Sequence, residues 1–253
     1  MGDGLSFTGR SALVTGAASG IGAACARWLA EHGAGPLLLV DRDAERLAAL
    51  ELPCAVTRLT GDVADPALWE RIEAEAGPLD HAVLNAGIAA GAPLAETTFD
   101  DWRRVLSVNL DGAFLSLRAA LRLLKDGGSA VLTASVAGLK AEPGTGAYAV
   151  SKAAVIQLAK VAAREAAARG VRVNAIAPGA VDTPIWDGLA FFADLVSEGG
   201  TRASALEAMA QATTPLRRYA RAEEIAGQIG FLLSDMGQNI TGTVLVSDGG
   251  YAL

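Results

Sequence analysis

Short apolar runs recur along the chain, spaced so that a helix fits between most neighbouring pairs. The runs at 11–15, 36–41, 54–60, 80–84, 129–134, 171–177 and 243–246 are brief, continuous and bounded by Gly, Pro, Asn or Asp. That pattern predicts buried strands rather than amphipathic helices. Helical spacing predicts elements from 22 to about 32, from Pro66 onward, over 98–124, through Tyr148 to about 170, and over 221–233. Strand and helix alternate without a break in composition, repeat or linker. The prediction is therefore one α/β domain over 1–253, a doubly wound parallel seven-stranded sheet with helices on both faces. Between 184 and 215 the pattern loosens. Trp186, Leu189, Phe191, Phe192, Leu195 and Met209 are scattered among Gly and acidic residues, which reads as two short helices forming a lid, or as an ordinary surface hairpin.

The polar interruptions matter as much as the apolar runs. After the first strand comes T-G-A-A-S-G-I-G, Thr15 to Gly22, and then a helix. Gly16, Gly20 and Gly22 permit a tight turn and the close approach of a pyrophosphate, and the helix N-terminus behind them offers amide donors. The second strand ends in Asp41, roughly 20 residues beyond the turn, where a carboxylate accepts both hydroxyls of an adenine ribose. Asp41 is equally placed to cap the next helix. Its charge would repel a 2′-phosphate and so favours NAD(H), whereas Arg42 beside it suits adenine stacking or a phosphate. Asp62, before Val63, is placed to bond an adenine amino group or to cap the helix near Pro66. Asn85-Ala86-Gly87 closes the fourth strand as a cofactor-side edge or a plain turn. Asn109 sits among apolar residues in a long helical stretch, where a polar amide needs partners. It is either structural or the holder of a water in a proton path.

The stretch from Ser135 to Lys152 carries the candidate chemistry. Ser135 follows the fifth strand; Pro143, Gly144 and Gly146 mark a loop; Tyr148 and Lys152 are four apart on the helix that follows and share a face. A free phenol has a pKa of about 10, and a neighbouring ammonium would lower it. With Ser135 bonding the substrate oxygen, the trio suits proton transfer at an alcohol or carbonyl oxygen.

Charge and cysteine usage narrow the class. The 253 residues carry 21 basic and 28 acidic side chains, net −7, with no basic run, which argues against nucleic acid as a partner. Cys25 and Cys54 read as small packed thiols. His32 and His81 lack triad or metal partners nearby and read as structural, so no metal is expected. The N-terminus has no apolar signal core and no run is long enough to span a bilayer, giving the expectation of a cytoplasmic protein.

Taken together, T-G-x-x-x-G-I-G at Thr15–Gly22, N-A-G at Asn85–Gly87, Asn109, Ser135, Y-x-x-x-K at Tyr148–Lys152 and Pro178-Gly179 resemble the short-chain dehydrogenase/reductase family in its compact single-domain form, over essentially the whole chain. The resemblance implies a Rossmann domain binding NAD(P) and a small-molecule substrate. Tyr148 would be general acid in reduction and base in oxidation. Lys152 would lower its pKa and bind the nicotinamide ribose, Ser135 would orient the substrate oxygen, and Asn109 would hold the water linking Lys152 to solvent. Gly16, Ser19, Gly20, Ile21 and Gly22 would line the pyrophosphate, and Asp62 and Val63 would flank adenine. Val181 and Thr183, after Pro178-Gly179, would contact the nicotinamide carboxamide. Ala18 and Ser19 lack the basic residue that NADP-using relatives commonly place in the turn, which leans to NAD with NADP second. Leu84 stands where many relatives carry another asparagine.

The expected activity is hydride transfer between NAD(H) and a secondary alcohol or ketone, apolar or ring-containing if the lid aromatics line the pocket. The alternatives are a 3-oxoacyl carrier-protein reductase using NADPH, with Arg118, Arg122 and Lys125 docking an acidic carrier, and a non-catalytic cofactor-binding module. The resemblance also implies a homotetramer, with the helices bearing Asn109 and Tyr148 at an interface.

Overall fold

The fold is a computed structural model that describes residues 4–253. Its elements are β1 (Ala12–Thr15), α1 (Gly20–Glu31), β2 (Leu37–Asp41), α2 (Ala44–Ala49), β3 (Val56–Thr60), α3 (Pro66–Glu75), β4 (Leu79–Leu84), α4 (Phe99–Leu106) and α5 (Gly112–Leu123). They continue with β5 (Leu124–Thr133), α6 (Gly146–Ala166), β6 (Arg172–Pro178), β7 (Val181–Asp182), α7 (Ala190–Gly199), α8 (Arg202–Thr213), β8 (Ala220–Arg221), α9 (Ala222–Leu233) and β9 (Val244–Ser247).

Seven strands form one sheet in the order β3-β2-β1-β4-β5-β6-β9, every pair parallel. Alternation along the strands divides the core. Leu13, Leu38, Val40, Ala82, Leu84 and Leu132 face the layer built from α3, α5 and α6. Val14, Leu37, Leu39, Val83, Val131 and Ile176 face the layer built from α1 and α9. The side-chain period of two thus sends neighbours to opposite layers, and the runs are apolar throughout because both faces are covered. Each fully buried side chain such as Leu132 contributes ~1.5–3 kcal/mol. The chain doubles back between β1 and β4, so the loops after those strands part at the carboxyl edge, the crevice where doubly wound sheets bind ligands.

Local signals explain the boundaries. Asp65 accepts from Ala67 N and Pro66 occupies the first turn of α3. Thr98 accepts from Asp101 N to start α4. Gly170, at φ 65°, ends the turn that follows α6. The stretch predicted as one helix over 98–124 is helical but not uniform. A π-turn at Ser107–Asp111, centred on Asn109, separates α4 from α5. β5 begins at Leu124, earlier than expected, and pairs with β4 through an irregularity between Leu79 and His81. The two-residue pair β7–β8 had no signature in the sequence. The region 184–215 forms a 3₁₀ turn and the helices α7 and α8 around a small core of Phe192, Ala205 and Leu206. Among the described residues no helix is long and apolar enough to cross a membrane.

Candidate active site

Three segments meet at the carboxyl edge because glycines let them. Gly16 has φ 66°, and a Cβ there would lie 2.9 Å from both Ala86 Cα and Asn85 Nδ2. A Cβ on Gly22 would fall 2.0 Å from Gly16 O. The glycine turn therefore nests on Asn85 and Ala86, whose amides donate to Thr15 Oγ1 at 2.9 and 3.1 Å. Ser19 is the N-cap residue of α1, in extended conformation, and its hydroxyl makes no capping bond. Ile21 is half-buried against the α1–α9 core. The turn thus presents backbone donors at the start of a twelve-residue helix with no side-chain cap on them. It is a fit for a pyrophosphate.

Asp41 does not cap α2; Asp43 does, accepting from Arg46 N at 3.0 Å. Instead Asp41 Oδ2 accepts from Ala18 N at 2.9 Å and Oδ1 from Asp43 N at 3.0 Å. Its carboxylate faces the glycine turn, with lone pairs left for a diol. Arg42 is exposed beside it. Asp62 is exposed and bonds Ala64 N at 2.9 Å; the cap expected of it on α3 belongs to Asp65. Val63 is committed to the core: its side chain packs on Gly112 of α5, and its carbonyl accepts from Trp69 Nε1 at 2.8 Å.

Ser135 leaves β5 buried, its Oγ accepting from Ala137 N at 3.2 Å in a short 3₁₀ turn. Tyr148 is half-buried in the first turn of α6. Burial pushes its phenol above the ordinary tyrosine range, and a hydrogen bond with the Ser135 hydroxyl pulls it partly back. Lys152 is buried, its Nζ donating to Thr133 O at 2.9 Å and lying 5.7 Å from the centre of the Tyr148 ring. Burial pushes the Lys152 ammonium down to about 8. Low polarity penalises phenolate and ammonium alike, and the lysine donates one of its hydrogens to Thr133 O.

Asn109 is buried with both amide hydrogens committed, to Ile88 O at 3.0 Å and Ser151 Oγ at 3.1 Å, while its Oδ1 accepts from Ile88 N at 2.8 Å. The side chain therefore ties the segment after N-A-G to the helix of Tyr148. Of the alternatives open for it, the structural one describes the amide's own bonds. Gly87 makes room: a Cβ there would be 3.2 Å from Asn109 Oδ1 and 3.3 Å from Lys152 Nζ.

Thr183 closes the crevice from above. It is buried, and its Cβ and Cγ2 lie 3.3 Å from where a Cβ on Gly20 would sit. Val181 is buried in β7, its carbonyl accepting from Trp186 Nε1 at 2.8 Å. Pro178 and Gly179 stand one layer back, Pro178 opposite Ser247 and Gly179 against Asp248. The aromatics expected to line a pocket divide. Phe192 is buried within the α7–α8 cluster, Trp186 stacks on Tyr219, and Phe191 is exposed. Of the cations considered for carrier docking, Arg122 is paired with Glu73 at 2.7 Å and Lys125 with Asp80 at 2.9 Å.

Sequence reasoning missed four contributors: Thr15 under N-A-G, Thr133 on Lys152, Ser151, and Gly138. Ser151 Oγ donates to Tyr148 O at 2.6 Å while receiving Asn109. A Cβ on Gly138 would lie 2.7 Å from Ala153 N and Lys152 C. Only a glycine in the S-V-A-G run lets the Ser135 turn rest on α6 at Lys152.

A family model described as enoyl-(acyl carrier protein) reductase matches residues 16–252. The cis-4-hydroxycyclohexanecarboxylate dehydrogenase of Sinomonas cyclohexanicum is 41% identical over 258 residues, covering 98% of each chain. A solved short-chain dehydrogenase/reductase from Serratia marcescens superposes with TM-score 0.85 at 30% identity, over 98% of this chain and 99% of that one. The chain belongs to the short-chain dehydrogenase/reductase family. The structure of L-sorbose reductase from Gluconobacter frateurii, solved with NADPH and L-sorbose, superposes with TM-score 0.89 at 28% identity over 99% of both chains. As a short-chain dehydrogenase/reductase the protein is an oxidoreductase of alcohol- or ketone-type substrates that uses a nicotinamide cofactor.

Proposed function

We propose that this enzyme interconverts a secondary alcohol and its ketone, with NAD(H) preferred and an apolar or ring-containing substrate. The observation that carries the substrate reading is where large apolar side chains are left exposed. Leu94, Leu139, Ile185, Phe191, Leu216 and Leu253 stand exposed on segments that follow β4, β5, β7, α8 or β9; Leu139 ends the turn that Ser135 begins, and Leu94 packs on Gly146 in the first turn of the Tyr148 helix. Apolar surface gathered at the mouth of one crevice marks a ligand site. The alicyclic alcohol named for the Sinomonas relative is of the same kind.

The residues present fit a dinucleotide. The glycine cradle accepts a pyrophosphate, and the Asp41 carboxylate at its side suits a ribose diol and opposes a 2′-phosphate. Hydride exchange at the carbinol carbon is the chemistry that a nicotinamide cofactor supplies when bound. The chain's own part is to place the substrate oxygen and to move its proton. The Ser135 hydroxyl orients that oxygen. The Tyr148 phenol, held protonated by burial, gives its proton to a ketone oxygen in reduction and must regain the base form for oxidation. Lys152, fixed on Thr133 O, stands ready for a ribose hydroxyl with its remaining donors. The α7–α8 segment acts as a lid. Phe114, Val150 and Val161, exposed on α5 and α6, support a tetramer built on those helices, in a cytoplasmic enzyme. Carrier-protein docking is the weaker reading, because Arg122 and Lys125 already serve carboxylates of this chain.

The test is absorbance-monitored turnover of aliphatic, cyclic, aromatic and sugar alcohols and 3-hydroxyacyl thioesters, each with NAD⁺ and NADP⁺, for the wild type and Tyr148→Phe. Turnover of ring or apolar alcohols with NAD⁺, lost in the variant while NADH still binds, is expected. Best turnover of sugar alcohols or thioesters, or of NADP⁺, overturns the corresponding part. Undiminished turnover in Tyr148→Phe overturns the mechanism.

A further inference from the structure

Arg202, the first residue of α8, spends its guanidinium on one short segment. Nη1 donates to Asp182 Oδ1 at 2.5 Å, Nε to Asp187 Oδ1 at 3.0 Å and Nη2 to Thr183 O at 2.8 Å. These acceptors flank the residue that roofs the glycine turn. Thr183 is extended, with φ −146° and ψ 163°, and its side chain rests 3.3 Å from the would-be Cβ of Gly20. On its other side the segment is held by β7–β8 pairing, Val181 opposite Ala220, and by the Trp186 indole on Val181 O. A single exposed ion pair fixes little. A planar fork on two carboxylates and a main-chain carbonyl specifies geometry, and an ammonium cannot reproduce it.

We propose that Arg202 is a positioning residue for the dinucleotide: from the first turn of α8 it locks the Asp182–Asp187 strap in place over the glycine turn. The inference rests on the reading of the glycine turn as the cofactor cradle. It assigns to a residue of the substrate-side helices a function in cofactor affinity, acting through the Thr183 carbonyl.

The experiment titrates NADH into wild type, Arg202→Ala, Arg202→Lys and Asp182→Asn, read by NADH fluorescence. Steady-state kinetics at saturating NAD⁺ and urea midpoints are measured alongside. Loss of a charge-assisted grip predicts an NADH Kd weakened about tenfold in Arg202→Ala, with a smaller loss in Asp182→Asn. Arg202→Lys recovers only part, because it cannot fork. The alcohol KM at saturating NAD⁺ stays within about twofold, since the lid's own Phe192 core is untouched. A merely structural role would lower the urea midpoint and raise the alcohol KM with NADH affinity intact, and that result overturns the proposal. Equal weakening of NADH and alcohol also overturns it. Wild type that binds no nicotinamide cofactor overturns the cradle reading itself, a failure visible before any variant is compared.

Discussion

His81 lies inside β4 and is 3% exposed, and its ring is buried in the form that cannot be charged cheaply. The Ser129 hydroxyl donates to Leu233 O at 3.0 Å, so it receives its other bond, at 2.8 Å, from His81 Nδ1–H. That leaves Nε2 as the bare nitrogen, without a partner among the described residues, with Phe7 stacked edge-on at 5.0 Å. Protonation would place a charge and an unbonded N–H in this site. Burial, seconded by Arg10 and Arg172, pushes the ring down to about 4, while Asp80 and Asp235 pull weakly the other way.

The consequence for stability has a definite sign. Between about 4 and the ordinary histidine value of 6.5, the unfolded chain binds a proton that the folded chain refuses. His81 therefore costs nothing above pH ~7 and destabilises progressively as pH falls through that window. The linkage integral from pH 7.5 to 4.5 is about 2.5 kcal/mol, a large share of an ordinary domain's margin. Urea unfolding of wild type and His81→Asn across that range isolates it. The asparagine amide keeps the donor to Ser129 but cannot titrate. The variant is less stable at pH 7.5, because it leaves a cavity, and its curve is flatter by about 2.5 kcal/mol. Carboxylates are shared by both proteins and cancel in the comparison. Parallel curves from pH 4.5 to 7.5 would refute the reasoning.

Two further outcomes follow from the site's scaffolding. Gly138→Ala drives a methyl into the α6 backbone at 2.7 Å, displacing Ser135 from Tyr148; kcat should fall roughly 10- to 100-fold with NADH affinity nearly unchanged, and an unaltered kcat would show that the turn can shift freely. Ser151→Ala leaves an Asn109 amide hydrogen and the Tyr148 carbonyl without the partner they share; the expected cost is about 1–3 kcal/mol, read as a lowered thermal midpoint, and no shift would mean that the amide finds another acceptor.

Most of the fold was legible because the strands are covered on both faces. Runs such as Leu37–Asp41 are apolar at nearly every position, so neither face hides the signal. Where that condition fails, so does the reading. β7 and β8 are two residues each, held by partners some 40 residues apart in the chain. β5 was read from Ser129 because Lys125, Asp126 and the two glycines after them look like a turn, yet Leu124 pairs with Leu79 ahead of the irregularity. The lid aromatics were read as pocket lining because hydrophobicity alone cannot say which side of a helix a Phe faces. Tertiary packing sends Phe192 inward and leaves Phe191 out.

The candidate site shows a sharper division, between groups that announce themselves and groups that hold them. Ser135, Tyr148 and Lys152 stand out because a hydroxyl, a phenol and an ammonium at helical spacing carry chemistry wherever they meet. Their tethers are ordinary residues whose meaning is purely spatial. Asn109 was visible as a polar residue among apolar ones, but its bonds to Ile88 and Ser151 join segments 21 and 42 positions away. Gly138 and Thr15 matter through what a missing methyl admits and what one hydroxyl collects. The same limit applies to the electrostatics. Spacing put Lys152 beside Tyr148, whereas Thr133 O and the loss of solvent decide where its charge is spent. A phenol raised by burial and a lysine lowered by it are both nearer neutral than in water.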